Sequence, residues 1–251
     1  MNSLTDSLHW LDWPAPKTVR ACFTTRVGGE SIGAFHSFNL AKHVGDIDAT
    51  VERNRAWLTD ALKVQPIWLS QVHGSRVVTA DSENLGQEAD GAYLSSENGD
   101  TGQAAVVMTA DCLPVFFCDT EGTQVAVAHA GWRGLAGGVL EATVAKFRAT
   151  TSGELMAFLG PAIGPNQFEV GADVLEAFTR QSDRFREGFS PQASGKYLAD
   201  IYHLARLRLS DLGVTQVFGG QWCTYEQDDL FFSYRRDGLT GRMANLIWLT
   251  N

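Results

Sequence analysis

The residues of this chain with the most chemistry in them lie between Ala105 and Gly134, in AVVMTADCLPVFFCDTEGTQVAVAHAGWRG. Three short apolar runs each end in reactive side chains. Ala105 to Met108 leads to Asp111 and Cys112, Pro114 to Phe117 leads to Cys118 and Asp119, and Gln124 to Ala128 leads to His129. Runs of this length, rich in β-branched and aromatic residues and bounded by Gly, Pro and Asp, predict buried strands. A further imidazole, His73, closes the run IWLSQV. His73, Cys112 and His129 make a zinc-type set, and three protein ligands leave a fourth position for water or substrate. Zinc there would act as a Lewis acid and lower the pKa of a bound water. The same atoms allow a rival chemistry, in which Cys112 is a nucleophile activated by His129 and reacts through a covalent intermediate. The spacing matches neither C-x-x-C nor H-E-x-x-H, so pattern alone leaves both open.

One residue beyond His129, after Ala130, comes Gly131-Trp132-Arg133-Gly134, followed by a helical pattern from Leu135 to Thr150. A strand, a glycine turn and a helix leave backbone N–H groups pointing at an anion. Arg133 within that turn is a candidate phosphate ligand, and Arg26 in TTRVGGES is a second. Cys22, Cys118 and Cys223 read as small core residues. His9 and His203 lie outside any cluster, whereas His36 and His43 are candidates for a pocket wall.

The elements that must position these groups follow from periodicity. Val19 to Thr25 reads as a strand, and Thr50 to Val64 as an amphipathic helix through Val51, Leu58, Ala61 and Leu62. Pro66 to Val72 reads as a strand whose hairpin partner is Arg76 to Ala80, followed by an acidic, turn-rich loop through Glu83, Glu88 and Asp90-Gly91. Leu155 to Leu159 is predicted as a strand, Ala172 to Gln181 as a short helix and Gln181 to Lys196 as a polar flap. Ala199 to Leu212 is predicted as a helix stopped by Gly213, and Val214 to Phe218, Phe231 to Tyr234 and Met243 to Leu249 as closing strands. Helices and strands mix without a regular βαβ period. The pattern predicts a single α/β domain of the α+β type over residues 1–251, with mixed, largely antiparallel sheets.

Composition sets the outer bounds. With 251 residues, 44% hydrophobic and 20% charged, the chain can bury a sizeable core. A net charge of −9 argues against a nucleic-acid backbone or an anionic membrane as partner, but leaves small anionic substrates open. MNSLTDSLHWLDWPAP lacks the basic and apolar regions of a signal peptide, and no run is long enough to span a bilayer. Four widely spaced cysteines fit a reduced, cytoplasmic protein.

At TADCLPV, AHAGWRG, QVHG, GPAIGP and SYRRDGLTGRMANLIWL, with TTRVGGES, HVGD and FEVG besides, the chain resembles the laccase-domain or polyphenol-oxidase (YfiH-like) family. This family is also called the peptidoglycan editing factor group. The resemblance covers nearly the whole chain from about Arg20. It implies a layered α/β/β/α fold and a family metal site at His73, Cys112 and His129, usually taken as zinc. A fold relative among toxin deamidases carries a Cys/His pair, which keeps the nucleophile reading alive. For function the resemblance implies purine nucleoside chemistry: phosphorolysis of adenosine, inosine and methylthioadenosine, and deamination of adenosine. Alternatives are removal of L-serine from a UDP-MurNAc precursor, a copper-dependent polyphenol oxidase, and a non-catalytic zinc protein. A four-copper oxidase centre needs about ten imidazoles. This chain has six histidines, although Cu2+ could still occupy the three-ligand site. Three ligands rather than four argue against a purely structural zinc. Deamination asks for an activated water at C6 of adenine and a carboxylate that shuttles protons, for which Asp111 is the candidate. Phosphorolysis asks for a phosphate cradle at Arg133 and Arg26.

Overall fold

The structure is a computed structural model that describes residues 7–98, 102–148 and 153–250. Two sheets carry most of it. The first, in spatial order, contains β1 (Leu8–Trp10), β2 (Val19–Thr24), β14 (Met243–Leu249), β6 (Gln103–Thr109) and β3 (Gln65–Ile67). The second contains β13 (Gln216–Gly219), β9 (Leu155–Leu159), β7 (Leu113–Asp119), β8 (Gln124–Ala130), β5 (Gly91–Ser95) and β4 (Val77–Thr79). Parallel pairs (β3 with β6, β4 with β5, β13 with β9) occur beside antiparallel ones, so both sheets are mixed. A small third sheet joins β10 (Glu169–Val170), β12 (Tyr197–Ala199) and β11 (Phe189–Pro191).

The apolar runs of the sequence are continuous because the second sheet is covered on both faces. Along β7 and β8, Phe116, Cys118, Val125 and Val127 join the core shared with the first sheet. Their neighbours Val115, Phe117, Ala126 and Ala128 face the other way, into a core with Val144 and Phe147 of α3 (Val139–Arg148). That second core also takes residues of α4 (Ala172–Thr179) and α5 (Ile201–Asp211), which is the period-two alternation of a strand expressed on two buried faces. Helix α1 (Asp48–Leu62) inserts Leu58 and Leu62 into the first core. The layers run helix, sheet, sheet, helix, as the resemblance implied. Among the described residues, no helix is long and apolar enough to cross a membrane.

Strand register fixes where the chemistry sits. Thr109 at the end of β6 pairs with Met243 at the start of β14, Leu113 at the start of β7 with Ala130 at the end of β8, and Val115 with Leu159 at the end of β9. These strand ends therefore lie at one end of the molecule. There the chain crosses between sheets three times: residues 110–112 run from β6 to β7, residues 68–76 from β3 to β4, and residues 220–242 from β13 to β14. The first crossing carries Cys112 and the second His73.

Four sequence expectations change. The predicted hairpin of 66–72 with 76–80 does not form, because β3 and β4 belong to different sheets and each pairs in parallel with a distant strand. The helix expected over 135–150 is two helices, α2 (Trp132–Ala136) and α3, broken at Gly137-Gly138, where Gly138 has φ +93. Positions 149 and 150 lie outside the described residues. The expected flap over 181–196 forms a 3-10 helix and strand β11, with Phe185 and Phe189 buried. Residues 231–234 form no strand; Phe231 and Phe232 are buried just before α6 (Tyr234–Asp237).

Candidate metal centre and substrate pocket

His73, Cys112 and His129 arrive from three different segments and meet. Their donor atoms all lie within 4.8 Å of one another, and Cys112 Sγ is 3.9 Å from His73 Nε2. The two imidazoles lie edge to face, with ring centroids 4.8 Å apart. His129 is the penultimate residue of β8 and 3% exposed, so its ring is fixed by the sheet, whereas His73 is exposed on the crossing loop with φ 60. Gly131 makes the approach possible. A Cβ there would stand 2.8 Å from Cys112 Sγ, closer than such atoms pack, and a tight 3.2 Å from His73 Cδ2.

A fourth residue, Asp90, organises the set from behind. It is fully buried, and its Oδ1 lies 2.8 Å from His129 Nδ1, so an Nδ1–H donates to it and Nε2 is left for the site. The same carboxylate accepts from the backbone N–H groups of Val72, His73 and Gly74, at 3.2, 2.9 and 2.6 Å. One buried anion thus orients both imidazole-bearing segments, the arrangement that metal-ligating histidines commonly have. Burial opposes ionisation of Asp90, but the hydrogen bonds from His129 and from the Gly74 and Val72 amides outweigh it and hold the carboxyl below its usual range.

The electrostatics favour a thiolate. Burial opposes charge on Cys112, yet the charge and hydrogen bond of His129, then those of His73, bring its pKa down to about 6. Burial also opposes charge on His129, but the Cys112 charge and the Asp90 hydrogen bond lift it to about 9. Cys22 and Cys118, by contrast, are pushed up to about 12 by burial. Both are core residues, as the sequence indicates. Cys223 is only half-buried, with Sγ accepting from Gly164 N–H at 3.2 Å.

These three side chains stand at the floor of a cavity of about 450 Å³. Met108, Ile163, Phe168 and Trp132 supply apolar and aromatic walls, and Arg133, Arg235 and Arg242 bring positive charge. Arg133 stacks over Trp132 at 4.4 Å, and among the described residues its exposed guanidinium has no hydrogen-bond or ion-pair partner. Arg235 and Arg242 are anchored through backbone carbonyls, Arg235 on Gln167 and Glu169 and Arg242 on Thr240 and Gly241. Gln71 is spent on the main chain of Met108 in both directions.

The remaining sequence candidates divide. Asp111 lines the cavity, but both carboxylate oxygens bind protein donors, Thr224 Oγ1 at 2.6 Å and Arg235 N–H at 2.7 Å. His43 is on the cavity wall; His36 is not, and its carbonyl instead accepts from Arg26 Nε. Arg26 is not brought to the cavity: its guanidinium packs over Phe232 and donates to the carbonyls of His36 and Asp228. The Gly131–Gly134 segment is not a free turn, because Gly131 caps α2 and Arg133 already lies in its first turn. Sequence reasoning missed Asp90, whose Asp-Gly pair carries only a turn signal. The cavity arginines Arg235 and Arg242 lie within SYRRDGLTGRMANLIWL, a motif that carried the resemblance without either being singled out as a site residue.

Comparison with known proteins places the whole chain. The family model described as multi-copper polyphenol oxidoreductase laccase matches residues 20–250. A purine nucleoside phosphorylase of Pseudomonas aeruginosa is 52% identical over 243 residues, covering 96% of this chain and 98% of its own. The purine nucleoside phosphorylase YfiH of Escherichia coli is 51% identical, covering 94% and 96%. Among solved structures, a Neisseria meningitidis protein superposes with a TM-score of 0.93 at 48% identity, covering 98% of this chain and all (100%) of that one. YfiH of Bacillus licheniformis superposes with a TM-score of 0.90 at 30% identity, covering 98% and 97%. By sequence and by fold, the chain belongs to the polyphenol oxidoreductase laccase (YfiH-like) family.

Proposed function

We propose that this chain is a zinc-dependent purine nucleoside phosphorylase, which cleaves adenosine, inosine and methylthioadenosine with phosphate and deaminates adenosine as a second activity. The observation that carries the reading is the junction of a three-donor centre with a cavity that has both apolar walls and a free guanidinium. A nucleoside brings a flat base and a sugar, phosphate brings a dianion, and this cavity volume falls in the range of small-molecule sites. The curated relatives named purine nucleoside phosphorylase, at about half identity over nearly the whole chain, support the same class.

His73, Cys112 and His129 would hold the metal. A thiolate with two imidazoles, one of them oriented by a buried carboxylate, suits zinc, and three donors leave a position for a reactant. When bound, zinc supplies Lewis acidity toward an oxygen of the reacting partners. Trp132, Met108, Ile163 and Phe168 would enclose base and ribose and exclude water. Arg133 would bind the incoming phosphate, whose oxygen attacks the anomeric carbon as the bond to the purine breaks. The family model's multi-copper description is a poorer guide to mechanism. Among the described residues only one group of three or more His, Cys, Asp or Glu side chains has metal-binding geometry, so there is no second centre for an electron relay.

The test is metal analysis together with adenosine plus phosphate, read by chromatography for adenine, inosine, hypoxanthine and ribose 1-phosphate. Cys112→Ala should lose bound metal and at least ~100-fold in turnover, since disturbing mere supporting groups costs 10–100-fold. Full turnover by metal-free wild-type protein would reject the reading and favour Cys112 as nucleophile. Absence of ribose 1-phosphate would reject phosphorolysis.

A further inference from the structure

We propose that Asp111 is a positioning residue rather than a proton carrier: its carboxylate straps the substrate-facing wall of the cavity onto the turn that carries Cys112. Three segments remote in sequence converge on this one residue. Oδ1 accepts from Thr224 Oγ1, 113 positions away, and Oδ2 accepts from the N–H of Arg235, 124 positions away. Its backbone carbonyl accepts from Ile163 N–H at 3.0 Å. Of the residues so tied, Ile163 and Arg235 line the cavity, as does Tyr234 beside Arg235. Asp111 itself is buried, with φ 91, a conformation that Asp and Asn tolerate far better than other side chains.

This wiring is ill suited to acid–base work. Both carboxylate oxygens are already engaged by protein donors, one through a short O–H···O bond and the other by an amide that cannot rotate away. A strap, by contrast, needs both bonds to persist through the cycle. It holds Tyr234 and Arg235 at a fixed height above the Cys112 turn, which sets how a bound nucleoside is gripped.

The inference rests on the phosphorolysis reading only for its kinetic assay. Asn adopts positive φ readily, its Oδ1 can accept from Arg235 N–H and its Nδ2 can donate to Thr224 Oγ1. Asp111→Asn should therefore keep kcat and KM within the wild-type order of magnitude. Asp111→Ala should raise the nucleoside KM by about tenfold or more, with a smaller change in kcat. Thr224→Val, which leaves the turn untouched, should do the same more weakly and serves if the alanine variant fails to fold. Hydrogen exchange gives a readout free of activity: the Arg235 amide should lose protection in Asp111→Ala and keep it in Asp111→Asn. A fall of about 10²–10⁴ in kcat for Asp111→Asn, with KM unchanged and one limb of the pH–rate profile lost, would overturn the strap in favour of a catalytic acid or base. Unchanged Arg235 protection in the alanine variant would overturn it as well. If wild type itself cleaves no nucleoside, the proposed function falls and the exchange data alone decide this inference.

Discussion

Strand β7 is closed at each end by a buried aspartate, and the two are wired in opposite ways. Asp119, at its C-terminal end, accepts from Thr123 N–H at 2.8 Å, Thr123 Oγ1 at 2.5 Å and Gln124 N–H at 3.0 Å. Every one of these partners lies within five residues, inside the hairpin to β8. Asp111, before the N-terminal end, has side-chain partners more than a hundred positions away. The cysteines differ in parallel. Cys118 points from mid-sheet into the core, while Cys112 sits where the chain leaves one sheet for the other. Identical side-chain types therefore serve a local turn at one end and a site at the other, and the distinction is whether the backbone crosses between layers.

The largest expected contrast is in the thiols. At pH 7 a pKa of about 6 leaves Cys112 mostly thiolate, against roughly one part in 10⁵ for Cys118 at about 12. Lower intrinsic nucleophilicity of the more acidic thiol gives back roughly 10²–10³. In metal-free protein, iodoacetamide should thus modify Cys112 at least ~100-fold faster than Cys118, with a rate that rises through pH 6 and then levels. Peptide mapping by mass spectrometry checks it, and equal labelling would erase the contrast. The sign for stability follows from the same shift. A folded pKa below that of a free thiol contributes stability at alkaline pH, and that contribution is lost as pH falls through about 6.

Next in size is Asp90→Asn, which keeps the shape but removes the charge behind His129. Metal affinity, measured by competition with a chelator, should fall about 10–100-fold. No change would mean that sheet packing alone fixes the imidazole. The smallest effect belongs to the far end of β7. Asp119→Ala should cost about 1–3 kcal/mol in denaturant unfolding, the penalty of leaving buried donors unpaired, with kcat/KM unchanged. A loss of activity there would break the division between the two ends.

The same division governs what the sequence discloses. Elements whose own residues carry the signal are legible: α1 and α5, the latter with Asp200 accepting from His203 N–H, follow from helical periodicity, and the apolar runs of β9 and β14 read as strands whatever they pair with. The ligand types at strand ends also point to His73, Cys112 and His129 as one group. What fails depends on partners distant in the chain. The apolar runs 66–72 and 76–80 look like a hairpin, yet their partners are β6 and β5 in separate sheets. Helical periodicity continues through Gly137-Gly138, and only the left-handed backbone at Gly138 reveals the break. Asp90 reads as a turn residue because its partners at 72–74 and His129 become neighbours only after the crossings at 68–76 and 110–112 are made. Arg26 fails in the opposite sense: a promising motif whose guanidinium is spent on Asp228 and His36 carbonyls.

Because two of the three donors ride on the segments that bridge the layers, an ion captured by them would rivet one sheet to the other. Melting temperature should then track the free concentration of that ion by mass action, as it does for any species that binds only the native form. Scarcity of the ion would loosen the whole sandwich along with its reactive end.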